Sequence, residues 1–296
     1  MHISQPALGA NESLCVLVNK MGNGTTQCYS SCEIHARDDR GRLTIETRDE
    51  GTLRHYLIGR PTAGNVILTF TAHPVEVGPD TPIGGRYELR KDQGGAQFMG
   101  MSVIPIPWDG IVDSPIKYNI KIDWNTSNAP AETRGVSSFG EGSVTRLSHA
   151  SEIWRMIFSV GPVKSYPASV ANLQNGFGIY WFGNLPPCMA ALPSICSRLF
   201  AHMADFFGDK PSSQNPYRIF VRRVTPARGF GGTGGIRSFE MDYDDYMSSV
   251  RQDEIFNLLA HEMVHNWPFM QSLPGANMDL TAWYNEGTHM RYFNAV

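Results

Sequence analysis

The sequence lacks a long apolar run, a strong charge bias and a signal-like start. No stretch reaches the roughly eighteen consecutive apolar residues of a transmembrane helix, which predicts a protein that does not cross a membrane. The net charge of −3, with Lys and Arg scattered, argues against a nucleic-acid-binding surface. The N-terminus has no basic start followed by an apolar core, which favours a cytoplasmic protein. Secretion would require a leader that precedes this sequence.

Cysteine is also scarce, and its spacing excludes a common type of metal site. The five cysteines include the close pairs Cys28/Cys32 and Cys188/Cys196, but neither pair has the second half of a four-cysteine zinc site. We therefore interpret all five as free thiols. The 42% hydrophobic content can bury a substantial core, and a length of 296 residues favours about two domains.

The first half of the chain has the pattern of β structure. Short segments rich in branched and aromatic residues alternate with Gly, Pro and Asp clusters, as in "RLTIETRD", "RHYLIG", "NVILTFTAHPVEVG", "RYELRK" and "IKYNIKIDW". This pattern predicts an antiparallel β-rich domain over 1–150. Residues 125–143 are polar and rich in Gly and Ser, which predicts a loop or linker.

After residue 150 helical and strand patterns are mixed, so the predicted fold class is α+β with a second domain over 151–296. "IWRMIFSVG" and "YRIFVRRV" are typical of strands, and residues 229–243 predict a Gly-rich loop that leads into another strand. "MAALPSICSRLFAHMADFFGD" is typical of a helix, with Pro193 in its first turn or at a kink. Two further helices are expected in 248–267, with Ser248, Ser249 or Asp253 as the N-cap, and in 280–296.

The segment "LLAHEMVHNWP" at 258–268 carries the strongest chemical signal. Residues four apart share one face of a helix, so His261 and His265 can bring two imidazoles to one Zn²⁺. Glu262 is rotated by about 100° from His261 and would lie beside the metal as a base. A core helix with hydrogen-bonded histidines also fits these letters. Two histidines and a glutamate in register favour the zinc site, because buried polar groups need partners.

A catalytic zinc needs a third protein ligand and an open position for water. Glu286, in "WYNEG", follows His265 after twenty residues (266–285), which leaves room for a loop and the start of another helix. We predict one zinc per chain, held by His261, His265 and Glu286. Zinc-activated water is then the nucleophile and Glu262 the general base of peptide-bond hydrolysis.

With these residues in place, "HEMVHNW" followed by "WYNEGT" resembles the gluzincin zinc metallopeptidases, and within them the aminopeptidase N and glycyl aminopeptidase families. "FFGDKPSSQNPYRIFVRR" and "GFGGTGGIRSFEMDY" are similar to upstream segments of those families. The resemblance implies a β domain followed by a thermolysin-like catalytic domain. It also implies a peptide substrate, the removal of N-terminal residues, and backbone contacts to substrate from Thr233, Gly234 and Gly235.

The sequence departs from that family pattern around the substrate. The Gly-rich segment has no Glu where the resemblance implies an anchor for the substrate amine, and Glu240 lies too far along to replace it. Asp242, Asp244 and Asp245 are alternatives, although a solvated acidic turn fits them better. Asn266, Asn285 or a backbone carbonyl is expected to orient a ligating histidine.

The chain stops ten residues (287–296) after Glu286, before the helical region that the resemblance implies, so we expect a catalytic domain incomplete at its C-terminus. One alternative function is therefore a zinc-stabilised, catalytically weak scaffold or binding module. Another is the opening of a lipid epoxide by the same metal, although nothing in the sequence indicates an acyl-chain tunnel. The sequence does not determine the preferred side chain at the cleavage site or the oligomeric state.

Overall fold

The computed structural model describes residues 1–20, 26–76, 87–110, 115–168, 176–224 and 230–267. Many strands and few helices are found in these ranges, which confirms the mixed α and β character predicted from the sequence. Among the described helices, none has the length and apolar character needed to span a membrane. All five cysteines are free.

In the described residues before 150 there are fourteen strands, and every pairing among them is antiparallel. Their bounds are β1 (His2–Ile3), β2 (Ser13–Val18), β3 (Ile34–Asp38), β4 (Gly41–Leu43), β5 (Ile45–Glu50), β6 (Leu53–Ile58), β7 (Val66–Phe70), β8 (Arg90–Asp92), β9 (Gly95–Met99), β10 (Ile106–Pro107), β11 (Tyr118–Ile122), β12 (Arg134–Ser137), β13 (Gly140–Glu141) and β14 (Val144–Ser148).

The remaining described elements include both α-helices and strands, with three strands between one helix and the next. Their bounds are α1 (Ser151–Trp154), β15 (Ile157–Gly161), β16 (Lys164–Tyr166), β17 (Phe177–Trp181), α2 (Leu192–Phe206), β18 (Tyr217–Arg223), β19 (Phe230–Gly235), β20 (Ser238–Tyr243) and α3 (Gln252–Val264).

Two four-stranded sheets, in the orders β1-β7-β3-β4 and β10-β2-β6-β5, share one apolar core. Leu14 and Tyr56 from one sheet pack with Ile34 and Leu68 from the other. Residues of β3 alternate between buried and exposed, because one face of its sheet lies on this core and the other faces solvent. The antiparallel β structure predicted for the first half is thus present.

A third sheet, in the order β13-β12-β15-β9-β8, joins the two halves of the sequence. Its central strand β15 pairs with β9 and β12, which come from the other side of the boundary predicted at residue 150. That boundary stays a prediction. The predicted linker 125–143 is corrected, because it contains β12 and β13. Their Gly and Ser residues are held by backbone pairing rather than by strand propensity.

The fourth large sheet, in the order β16-β17-β18-β20-β19, positions the candidate site. Its central strands β17, β18 and β20 run parallel, and β16 and β19 are antiparallel edges. One face packs on α2 and α3, as where Ile219 meets Leu199 and Leu259 in one apolar cluster. The other face packs on the third sheet, where Phe220 lies with Ile157. This sheet is therefore buried on both faces.

Residues 230–235, predicted as part of a loop, form the edge strand β19 instead. Glycine is a poor strand former, but β19 pairs with β20 along its whole length. Ile236 and Arg237 form the turn between them, and Arg237 has a positive φ of 48°.

Both helices predicted in the described part of the second half are present. Pro193 lies in the first turn of α2, where its missing N–H costs nothing. Helix α3 begins after Arg251, with no side-chain hydrogen bond to its cap, so the predicted caps Ser248, Ser249 and Asp253 are wrong. Asp253 and Glu254 lie in its first turn, where their charge suits the helix dipole. The helix predicted over 280–296 lies outside the described residues.

Candidate metal centre

His261 and His265 converge on one point beside helix α3. Their Nε2 atoms are 3.4 Å apart, and the two ring centroids are separated by 5.0 Å. Two nitrogens that each lie about 2.0–2.1 Å from one tetrahedral zinc stand about 3.3–3.4 Å apart. The imidazole pair therefore fits chelation of a single zinc ion.

The packing of α3 sets the direction of these histidines. Ile255, Leu259 and Met263 are buried against the five-stranded sheet, and they recur at the spacing of one helix face. His261 and His265 lie beside that face and keep part of their surface exposed. The apolar face thus fixes the helix, and the imidazoles remain accessible to a metal and a substrate.

Glu262 lies between the helix and the edge strand β19, with 7% of its surface exposed. A Cβ atom added at Gly232 would lie 2.5 Å from Cγ of Glu262 and 2.6 Å from its Cδ and Oε1. A Cβ atom at Gly234 would lie 3.5 Å from Cβ of His265. Strand β19 therefore runs directly along the His-Glu-His face, and glycine at 232 is what leaves space for the Glu262 carboxylate.

The residues predicted to contact a substrate all lie on β19. Gly234 is exposed, and Thr233 is partly buried. Gly235 is buried, and a Cβ atom there would meet the carbonyl oxygen of Arg155 at 2.7 Å. In the described sheet β19 has β20 on one side and is an edge on the other, and an edge strand presents backbone groups that can pair with an added chain.

Tyr217, on β18, the second strand in from β19, is fully buried. Its hydroxyl has no hydrogen-bond partner among the described residues. Burial raises the pKa of Tyr217 well above its usual value, and the negative charge of Glu262 adds to the rise. The phenol therefore stays neutral, and sequence patterns gave no sign that it lies near the glutamate.

Most of the acidic residues that follow β19 are buried rather than solvated. Asp242 and Asp244 are 5% and 2% exposed, and Asp242 pairs with the buried Arg222 at 3.2 Å. Asp245 is exposed and pairs with Arg223 at 2.6 Å. Glu240 is fully buried and lies 2.6 Å from Arg222. The prediction of a solvated turn is therefore wrong for Asp242, because β20 is buried on both faces, and for Asp244, which is buried directly after β20.

A second group that the sequence did not reveal surrounds Asp209, just after α2. Arg237 donates to its carboxylate, and the side-chain amide of Asn266 lies 3.5 Å from Oδ2. Arg237 belongs to the turn after β19, and Asn266 directly follows His265. Asp209 and Arg237 are 28 residues apart in the sequence, so no local pattern could have linked them.

The third predicted ligand, Glu286, lies outside the described residues. In the ranges that the structure describes, no group of three His, Cys, Asp or Glu side chains could hold a metal. The two imidazoles fit zinc, and the third position stays a prediction.

The fold is similar to that of a solved aminopeptidase N family protein. An aminopeptidase N family protein from Idiomarina loihiensis matches 93% of this chain, with 14% identity and a TM-score of 0.59. The match covers 46% of that protein, so this chain spans about half its length.

Two structures of an M1 zinc metallopeptidase from Deinococcus radiodurans also match, and one of them is bound to a Tyr-Ser-Ala substrate. Both are 16% identical, with TM-scores of 0.40 and 0.44. The matches cover 88% and 86% of this chain, and 56% and 58% of those chains. TM-scores below 0.5 do not establish a shared fold.

The sequence matches no protein-family model, and no curated protein matches it. The match to the Idiomarina loihiensis protein, at 14% identity, shows that this chain shares its fold with an aminopeptidase N family protein.

Proposed function

We propose that this chain carries part of the active site of a zinc metallopeptidase, and that it removes N-terminal residues from peptides. The observation that carries the proposal is the 3.4 Å separation of the His261 and His265 Nε2 atoms beside an edge strand. The fold shared with an aminopeptidase N family protein supports it.

His261 and His265 would hold one zinc ion per chain, with Glu286 as the third ligand. When bound, zinc polarises a carbonyl group and lowers the pKa of a water molecule to about 7. The two histidines contribute neutral imidazole nitrogens held at fixed spacing by one helix turn. Glu286 would leave one position open for water.

Glu262 is the general base of the proposed reaction. Its carboxylate accepts a proton from the water that attacks the scissile carbonyl carbon, and then passes this proton to the nitrogen of the leaving amine. Burial between α3 and β19 limits the movement of its side chain, because Cγ, Cδ and Oε1 all lie against the backbone at Gly232. The base is thus held beside the histidines.

Strand β19 would bind the substrate main chain. An extended peptide added to the β19 edge pairs through backbone hydrogen bonds at Thr233, Gly234 and Gly235. Gly234 has no side chain to separate the peptide from His265. This arrangement would bring the scissile carbonyl close to the metal ligands and to Glu262.

The proposal is tested with Glu262→Gln, which keeps the shape of the side chain and removes its proton-accepting charge. Loss of the general base is expected to slow peptide hydrolysis by about 10²–10⁴-fold while zinc content stays the same. Glu254→Gln is the matched control, because Glu254 lies on the same helix and is exposed. Equal rates for Glu262→Gln and wild type would contradict the proposal.

The same assay separates the kinds of activity. Cleavage of free peptides without cleavage of N-acetylated peptides supports the removal of N-terminal residues, and equal cleavage of both points to an endopeptidase. Stoichiometric zinc without hydrolysis of a broad peptide library would favour the scaffold instead.

A further inference from the structure

One carboxylate connects the two elements that form the candidate site. Asp209 follows α2, and its backbone N–H donates to the carbonyl of Ala204 at 2.8 Å, which fixes it at the end of that helix. Its side chain is 12% exposed. It accepts hydrogen bonds from Arg237 and from the amides of Asn215 and Asn266.

The first connection reaches the edge strand. Arg237 lies in the two-residue turn between β19 and β20, with its side chain 13% exposed. Its guanidinium also donates to the carbonyl oxygens of Asn215 at 3.0 Å and Pro216 at 3.2 Å. A guanidinium–carboxylate bond with both partners largely buried is among the stronger polar contacts of a protein. Asp209 therefore fixes the turn at which β19 ends.

The second connection reaches the metal helix. Asn266 directly follows His265, which caps the C-terminus of α3. Its Nδ2 atom lies 3.5 Å from Oδ2 of Asp209, the same oxygen that accepts from Arg237. One carboxylate oxygen thus contacts both the end of the strand and the residue next to the second imidazole.

We infer that Asp209 is a positioning residue that sets the distance between β19 and His265. This inference rests on the proposed function, in which the peptide main chain pairs with the edge of β19 next to His265. Strand and helix are close there, since a Cβ atom at Gly234 would already contact Cβ of His265 at 3.5 Å. A displacement of about 1 Å in such a site can cost about a hundredfold in rate. The Asp209 carboxylate contacts both the end of β19 and the end of α3, and so limits their relative displacement.

The two connections predict two separable defects. Arg237→Ala releases the strand side and is expected to weaken peptide binding by about tenfold, with little change in zinc affinity. Asn266→Ala releases the helix side and is expected to weaken zinc binding by about tenfold, because groups that orient a ligating histidine affect metal affinity by about 10–100-fold. Asp209→Ala is expected to show both defects.

The experiment measures two affinities on the full chain. Zinc affinity is measured by competition with a chelator, and binding of tetra-alanine is measured by calorimetry on the zinc-loaded Glu262→Gln background, where hydrolysis does not interfere. Asp205→Ala is the matched control, because Asp205 is exposed on α2 one turn before Asp209. Urea unfolding of each variant shows whether it is folded.

The outcomes distinguish this inference from the proposed function. If Glu262→Gln binds zinc and tetra-alanine and the variants divide as described, the inference is supported. If Asp209→Ala matches Asp205→Ala in both affinities, or if Arg237→Ala and Asn266→Ala lose both affinities equally, Asp209 is a structural residue and the inference is wrong.

If Glu262→Gln binds zinc but does not bind tetra-alanine, the strand side of the inference is overturned. Absence of zinc binding in the parent chain overturns the proposed function itself. If Asp209→Ala does not fold, the two affinities of Arg237→Ala and Asn266→Ala still test the inference.

Discussion

The two N-terminal sheets and the C-terminal five-stranded sheet differ in how many faces they bury. Strand β3 alternates between buried and exposed residues, and all six residues of β20 are buried. The N-terminal sheets share one core and keep solvent on their outer faces. The C-terminal sheet has helices on one face and another sheet on the other. A polar residue in its central strands therefore has to find a partner inside the protein.

The ion pairs of the two regions show what this difference means. In the N-terminal part, Asp38 binds Arg60 at 2.7 Å, and the Arg60 side chain is 30% exposed. In the C-terminal part, the Arg222 side chain has no exposed surface and lies 2.6 Å from Glu240. Both carboxylates are buried, but the Arg60 guanidinium keeps contact with solvent and the Arg222 guanidinium does not.

Protonation responds to this difference in opposite directions. The hydrogen bonds from Arg60 hold the pKa of Asp38 well below its usual range, although loss of water around the carboxylate opposes them. Burial raises the pKa of Glu240 well above its usual value, and the nearby Arg222 only partly offsets that rise. Burial by itself would lower the pKa of Arg222. The negative charges of the neighbouring carboxylates have a larger effect and raise the pKa of the guanidinium.

The largest expected effect on stability comes from Arg222→Met. Removing one partner leaves Glu240 and Asp242 without their cation in a buried site, which costs about 3–5 kcal/mol of unfolding free energy. The carbonyls of Glu88 and Gln97, which accept from Arg222 at 3.1 and 3.4 Å, lose a donor as well. Urea unfolding measures the loss.

The triple variant Arg222→Met, Glu240→Gln, Asp242→Asn is the control for that experiment. It removes every charge of the group together, so it should recover part of the stability lost by Arg222→Met alone. A cost below about 1 kcal/mol for Arg222→Met would mean that this group is as well solvated as the N-terminal pair.

The next effect concerns activity at the glycine edge of the same sheet. Gly232→Ala would place a methyl group within 2.6 Å of Cγ, Cδ and Oε1 of Glu262 and displace the proposed base. Hydrolysis is expected to fall by about tenfold to a hundredfold, because Glu262 leaves its position. Gly234→Ala makes an ordinary contact of 3.5 Å with His265 and should reduce the rate less. A larger loss for Gly234→Ala than for Gly232→Ala would contradict the placement of the base.

The sequence predicted the regions of simple pattern and missed those decided by packing. "RHYLIG" is rich in branched and aromatic residues and "IKYNIKIDW" alternates, and β6 and β11 lie there. Helical periodicity predicted α2 and α3, and the i, i+4 spacing predicted that the imidazoles of His261 and His265 lie close together. Strand β19 was missed because its stability comes from pairing with β20 rather than from its glycines. The burial of Asp242 depends on a sheet from the distant N-terminal half, which no local pattern encodes.

A smaller effect is expected on acidification of the N-terminal pair. Because the pKa of Asp38 is lowered by folding, its contribution to stability is present above the unfolded pKa of about 3.9 and is lost as pH falls through the folded pKa. Asp38→Asn should therefore lower the urea midpoint at pH 6, and the difference from wild type should shrink below about pH 4. A difference that stays constant with pH would show that the charge of Asp38 does not act.

The smallest effect is expected at the exposed pair of Lys121 and Asp123. Their side chains are 63% and 53% exposed, so solvent screens the interaction. Lys121→Ala should leave the urea midpoint unchanged at neutral pH. A marked decrease would remove the contrast between exposed and buried charge on which the comparison depends.

The central claim is that His261 and His265 bind one zinc ion together. Elemental analysis of the purified chain, alongside His261→Ala and His265→Ala, tests it most directly. The account predicts one zinc per wild-type chain and a loss of zinc in each variant, with His202→Ala, an exposed histidine on α2, retaining the metal. Wild type without zinc, or either variant with a full zinc content, would contradict it.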